Sequence, residues 1–228
     1  MSTSASVLKS RKVVVLGGGS VGSTLAKAIS DSGMAGSVAI GARSPAKTTE
    51  KLLTSGLNLI VEESQAALKS ANVVILATPS VHTDEAIKEL AASLGDMTDK
   101  VVIDATNPLT EFPDGLQIRW KQGTSGGEVL AEALPTAKVY KSFNTVGVEH
   151  MKSALGKDMM FAGDTDETAR AICAAIIAAV GFKPIFVGPI RYARNLEAMA
   201  ELWIHMAIPP LPAETYSRKF WFSVSGDP

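Results

Sequence analysis

Short apolar, mostly β-branched runs alternate with stretches of helical periodicity from Lys12 onward, the pattern of successive βαβ units. The predicted strands are Lys12–Leu16, Ser37–Ala42, Leu57–Val61, Asn72–Ala77, Lys100–Asp104 and Lys138–Phe143. Most are continuous apolar runs without alternation, as expected of strands covered on both faces. Between them the spacing predicts helices Val21–Ser32 and Thr83–Leu94, followed by Gly33 and Gly95, which suit the left-handed residue that ends a helix. The alternation then continues as strand Met159–Ala162, helix Glu167–Val180, strand Pro184–Val187 and helix Tyr192–Ala207. Asp164 and Glu167 have capping-box spacing, Gly181 closes the same helix, and Pro184 suits the first residue of its strand. The predicted fold is α/β: a Rossmann-type doubly wound, mainly parallel sheet with helices on both faces and a small C-terminal α/β extension.

The turn after the first strand reads Gly17-Gly18-Gly19-Ser20-Val21-Gly22. A strand before this G-x-G-x-x-G spacing and a helix after it make it a dinucleotide cradle. Gly17 permits the tight turn, Gly19 lets the backbone approach a pyrophosphate, and Gly22 allows close helix–strand packing. The pyrophosphate would rest on the helix N-terminus. At the end of the second strand, where an NAD site usually has an acid, the chain has Gly41-Ala42-Arg43-Ser44-Pro45-Ala46-Lys47. Arg43, Ser44 and Lys47 suit a 2′-phosphate, so NADP(H) is the expected cofactor. Ala77, Thr78 and Pro79 end the fourth strand, Thr106, Asn107 and Pro108 follow the fifth, and Asn144 and Thr145 follow the sixth. These ends face the crevice where open α/β sheets bind ligands. His82 is a candidate for touching ligand or a residue at a helix start. Arg191 and Arg194 could meet an acidic substrate, with an Arg194–Glu197 salt bridge as the competing reading.

Composition removes other classes. The net charge of −1 gives no reason to expect nucleic acid or an anionic membrane as partner. The lone Cys173 shares a helix face with Ile172, Ile176 and Val180, which places it in the core. Three scattered histidines offer no metal site. The chain has neither a signal-peptide pattern nor a spanning stretch, so the expected location is cytoplasmic. Residues 1–11 read as a disordered tail, 12–150 as the NADP-binding domain, and 151–228 as the extension with its aromatic tail. That tail holds Pro209, Pro210 and Pro212, then Tyr216, Phe220, Trp221 and Phe222. It is expected beside a homodimer interface or on the chain's own last helix near Trp203.

These motifs, together with Leu134-Pro135, Lys141-Ser142-Phe143-Asn144-Thr145 and Arg194 with Glu197, resemble the family of NADP oxidoreductases that use coenzyme F420, an 8-hydroxy-5-deazaflavin. The chain also resembles the related cytosolic oxidoreductase domain of six-transmembrane metalloreductases. The resemblance implies that Gly18 holds the pyrophosphate and that Arg43 and Lys47 hold the 2′-phosphate. It also implies a deazaflavin or flavin as second substrate, while the strand-end position of Asn144 and Thr145, near the nicotinamide ring, and the placement of Arg191 and Arg194 on the last helix make these four the candidate substrate-binding residues. Ala42 stands where the family often has serine. Asn144 stands where the deazaflavin enzymes have histidine, and asparagine there is the metalloreductase form. Direct hydride transfer needs no acid–base residue, so no catalytic side chain is expected. The competing functions are a non-catalytic NADP(H) redox sensor and an NADP-dependent dehydrogenase of a small metabolite.

Overall fold

The computed structural model describes residues 6–79, 81–112, 115–118, 123–207 and 217–225. In chain order the elements begin with β1 (Lys12–Leu16), α1 (Ser20–Asp31), β2 (Ser37–Ala42), α2 (Pro45–Thr54), β3 (Val61–Glu63), α3 (Ser64–Ser70), β4 (Val73–Leu76), α4 (Asp84–Ser93) and β5 (Val101–Asp104). They continue through β6 (Leu109–Phe112), β7 (Gly115–Ile118), α5 (Gly126–Ala133), β8 (Lys138–Lys141), α6 (Val148–Met151), β9 (Asp158–Gly163), α7 (Glu167–Val180), β10 (Lys183–Pro189) and α8 (Ala193–Ala207).

Eight strands form one sheet in the order β10-β9-β8-β5-β4-β1-β2-β3. The six from β3 to β8 run parallel, and the order reverses between β1 and β4. This is the doubly wound arrangement, with its ligand crevice at the carboxyl ends. β9 pairs antiparallel with β8, and β10 parallel with β9, so the C-terminal extension enlarges the same sheet with two reversed strands. A separate hairpin, β6–β7, packs against α8.

The continuous apolar strands are explained by two cores. Val13, Val15, Val73, Ile75, Val101 and Ile103 pack with Leu25, Ile29 and Ile176 on one face. Val14, Leu16, Val74, Leu76 and Val102 pack with Leu68, Ile87 and Leu130 on the other. Successive side chains point to opposite faces, so a strand covered twice must be apolar at every position. Cys173 is fully buried in the first core, and burial pushes its thiol well above the usual range.

Several expectations change. Leu8 is fully buried in the first core, and Arg11 bonds the Val7 carbonyl, so the ordered chain begins before Lys12. An isolated short apolar pair in a polar stretch gave too little periodicity to show this. The third strand is Val61–Glu63 because the Leu57 amide bonds back to Leu52 around Gly56 and sheet pairing with β2 starts only at Val61. α7 is capped by Asp166, whose carboxylate accepts from the Ala169 amide; Asp164 instead accepts from the Asp166 amide. Pro184 is second in its strand, tolerated because β10 is an edge. Residues 1–5, Ser80, Pro209, Pro210, Pro212 and Tyr216 lie outside the described residues.

Of the aromatic tail, Phe220 stacks on Trp203, whose indole N–H donates to the Phe220 carbonyl at 2.9 Å. Trp221 meets His150 edge-on, and Arg218 pairs with Glu149. The described tail therefore rests on its own α8 and α6.

Candidate functional site

The glycine loop joins β1 to α1 at the point where strand order reverses. Gly17 has φ +112°, and a Cβ there would stand 2.3 Å from the Ala77 carbonyl oxygen. A Cβ on Gly22 would stand 1.9 Å from the Gly17 oxygen, so this helix can approach its strand only with glycine present. Gly19 is different: a Cβ there meets no atom within 4 Å. The Gly19 backbone caps α1 and faces open space together with the exposed Ser20. The first amides of a helix have no partner inside it, and no acidic side chain occupies the first turn of α1. The loop is thus open to an anion.

Arg43, Ser44 and Lys47 are exposed beside this loop at the end of β2. Ser44 is the N-cap of α2, yet its side chain makes no capping bond and no acid lies in the first turn. Two cations, an uncommitted hydroxyl and a second helix N-terminus therefore meet at one corner.

Beyond the switch point, β4, β5 and β8 deliver the remaining residues. Thr78 and His82 follow β4, with His82 just ahead of Thr83, whose side chain caps α4 by accepting from Ala86. Phe143 is buried at φ +64°, a left-handed conformation costing a bulky residue about 1–3 kcal/mol. It turns the chain so that Asn144 reaches across to Asn107. The Asn144 amide donates to the Leu196 carbonyl at 2.9 Å and to Asn107 Oδ1 at 3.3 Å, and Asn107 Nδ2 donates to the Asn144 carbonyl at 3.3 Å. Among the described residues, three buried polar atoms in this part of the fold lack a partner: Thr78 Oγ1, His82 Nδ1 and Asn144 Oδ1. Such groups are costly unless something bonds them, and each follows a strand that ends at the crevice.

The two arginines differ. Arg191 is exposed, stacked over Tyr192. Arg194 pairs with Glu128, both nitrogens of its fork engaged, rather than with Glu197. Glu197 is buried because α8 presents it, with Leu196, Ala200 and Trp203, on its inward face. There it lies 3.1 Å from Lys141 Nζ, and its two carboxylate oxygens accept from the Gly126 and Gly127 amides at 3.0 Å each. Lys141 also donates to Asp104 Oδ2 at 2.9 Å. Burial alone would push the Lys141 ammonium down; the flanking carboxylates, Asp104 first and Glu197 second, outweigh it and hold it above the ordinary lysine range. Sequence reasoning missed this trio. Its signal was present: Asp104 is a charge terminating the otherwise apolar Val101–Asp104, and Lys141 follows the apolar Val139 and Tyr140 at the end of its strand.

Among the described residues no cluster suits a metal ion, and no helix is long and apolar enough to cross a membrane.

A glycine cradle at the switch point, a basic corner and polar strand ends define a Rossmann-type dinucleotide-binding protein of the oxidoreductase class. Residues 12–108 match the family described as NADP oxidoreductase, coenzyme F420-dependent. A solved structure from Arthrobacter sp. FB24, provisionally assigned as an F420-dependent NADP-reductase, is 27% identical. It superposes with a TM-score of 0.72 over 86% of this chain and 93% of its own. A hypothetical protein of Sinorhizobium meliloti is 26% identical, with a TM-score of 0.65, covering 79% of this chain and 86% of its own. An imine reductase from Aspergillus terreus, in complex with NADPH4 and dibenz[c,e]azepine, shares the fold at 17% identity and a TM-score of 0.60. That match covers 85% of this chain but 61% of the imine reductase.

Proposed function

We propose that this protein is a cytoplasmic, homodimeric NADP(H)-dependent oxidoreductase that passes a hydride between the nicotinamide and a deazaflavin or flavin-type acceptor. The observation that carries the reading is the set of orphaned polar atoms, Thr78 Oγ1, His82 Nδ1 and Asn144 Oδ1, at the strand ends beyond an open glycine loop. A dinucleotide laid across the switch point offers hydrogen-bonding groups along that line. Bound NADPH would supply the hydride.

In this reading Gly17, Gly18, Gly19, Ser20, Val21 and Gly22 hold the pyrophosphate, and Arg43, Ser44 and Lys47 hold the 2′-phosphate. Ala77, Thr78, Pro79 and His82 line the middle of the crevice, and Asn107 and Asn144 orient the nicotinamide. Thr145 and the exposed Arg191 border the acceptor, whereas Arg194 supports Glu128. No proton transfer is demanded of a side chain, because the protein's contribution is proximity and orientation.

The test is NADPH oxidation, followed by nicotinamide absorbance, against a panel of a deazaflavin, flavins, ferric chelates and quinones. Turnover is expected with a deazaflavin or flavin. NADPH binding without turnover on any acceptor would make the protein a redox sensor instead. Light scattering tests the dimer, whose support is the exposed apolar surface of Leu202, Trp221 and Val224.

A further inference from the structure

The trio Asp104, Lys141 and Glu197 stands outside the residues assigned above, yet each member is tied to one that is assigned. Asp104 ends β5, and its second oxygen accepts from the Thr106 amide at 2.9 Å and the Thr106 hydroxyl at 2.7 Å. That fixes the turn that delivers Asn107. Lys141 ends β8 three residues before Asn144, with the left-handed Phe143 between them. Glu197 follows Leu196, whose carbonyl receives the Asn144 amide. On its other side Glu197 bonds the first two amides of α5. One ammonium, 0% exposed, thus joins β5, β8, α8 and the start of α5.

The charge count supports a dedicated arrangement. Two carboxylates and one ammonium carry a net single negative charge, and the N-terminus of α5 is where such an excess is best tolerated. A buried ion pair is weak evidence for stability, since its desolvation offsets most of its attraction. What it provides is fixed geometry, because ions in a low-dielectric interior have few alternative arrangements of comparable energy.

We propose that Lys141, clamped between Asp104 and Glu197, is a positioning residue that sets the separation of the β5 and β8 strand ends, and with it the Asn107–Asn144 pair that would orient the nicotinamide. This rests on the oxidoreductase reading, because Asn107 and Asn144 are given their role there. The pyrophosphate and 2′-phosphate contacts lie at β1 and β2, away from the clamp. Disturbing it should alter the alignment of the reacting ring far more than cofactor affinity.

The test uses the full chain with Glu197→Gln, which keeps the shape but cannot accept from both α5 amides and Lys141. A second variant, Asp104→Asn/Lys141→Met/Glu197→Gln, leaves no buried charge unpaired. The readouts are NADPH affinity, kcat per folded molecule, the stereochemistry of transfer from NADPH deuterated on either face, and the side-chain amide NMR signals of Asn107 and Asn144 without cofactor. The expected result is shifted amide signals, affinity within about threefold, kcat lowered about tenfold or more, and leakage between the two faces. Unmoved amide signals with unchanged kcat per folded molecule, even at a lower Tm, would overturn the proposal. So would failure of both variants to fold, since the trio would then be a folding requirement only. If the wild type oxidises no NADPH with any acceptor, the functional reading falls by itself. The amide signals still decide whether the clamp holds the asparagine pair, and unmoved signals overturn it.

Discussion

Replacing Gly19 by valine separates binding from folding. Gly19 has φ −77° and ψ −175°, an extended conformation any residue adopts, and a Cβ there meets no atom within 4 Å. The folded state therefore bears no clash. Loss of glycine at an N-cap costs roughly 0.5–1 kcal/mol, and a less flexible unfolded chain returns about 0.4–1 kcal/mol. The net change in stability should lie within about 1 kcal/mol of zero. Binding is another matter, because the isopropyl group would fill the space in front of the α1 amides. Loss of two charge-assisted hydrogen bonds to the pyrophosphate, at about 1.5 kcal/mol or more each, weakens NADPH by more than about a hundredfold. Thermal melting by circular dichroism and calorimetric titration with NADPH measure the two effects separately. Gly22→Ala is the contrast: its Cβ would stand 1.9 Å from the Gly17 oxygen, so it should lose about 1–3 kcal/mol of stability. A folded Gly19→Val protein that binds NADPH within threefold of wild type would refute the phosphate-cradle reasoning.

The basic corner predicts at least tenfold tighter binding of NADPH than of NADH, about 1.4 kcal/mol, with most of that difference lost in Arg43→Ala/Lys47→Ala; equal affinities in the wild type would sink the assignment. Cys173, buried with its thiol pushed up, should resist a thiol reagent in the native state and react promptly in denaturant; fast native labelling contradicts the fold. Burial also raises Tyr140, and its carboxylate neighbours raise Lys141. Both bind their protons more tightly when folded, so their contribution is intact below about pH 10 and declines above it. Urea unfolding at neutral pH and at about pH 11 should show that loss, and a flat profile would count against it. Ending the chain at Ile208 removes the Phe220 stack on Trp203 and should lower stability by about 1.5–3 kcal/mol; an unchanged Tm would make the tail incidental.

The sequence by itself determined the opening βαβ unit closely. β1 and β2 fall on the predicted residues, because a strand buried on both faces must be apolar throughout. The glycine loop was equally legible, since its spacing encodes backbone approach and not a side-chain partner. Arg43, Ser44 and Lys47 could be placed at the end of β2 by counting from that strand. Tertiary structure alone decided the rest. Nothing local in Asp158–Gly163 says that it pairs antiparallel with β8 and reverses the last two strands. Nothing local in Arg194 and Glu197 says that the first pairs with Glu128 and the second turns inward to Lys141. Those partners lie 66 and 56 residues away, so the choice is made when α8 docks and its inward face is fixed. The left-handed Phe143 is invisible for the same reason: a bulky residue accepts that conformation only when the packing around it permits no other.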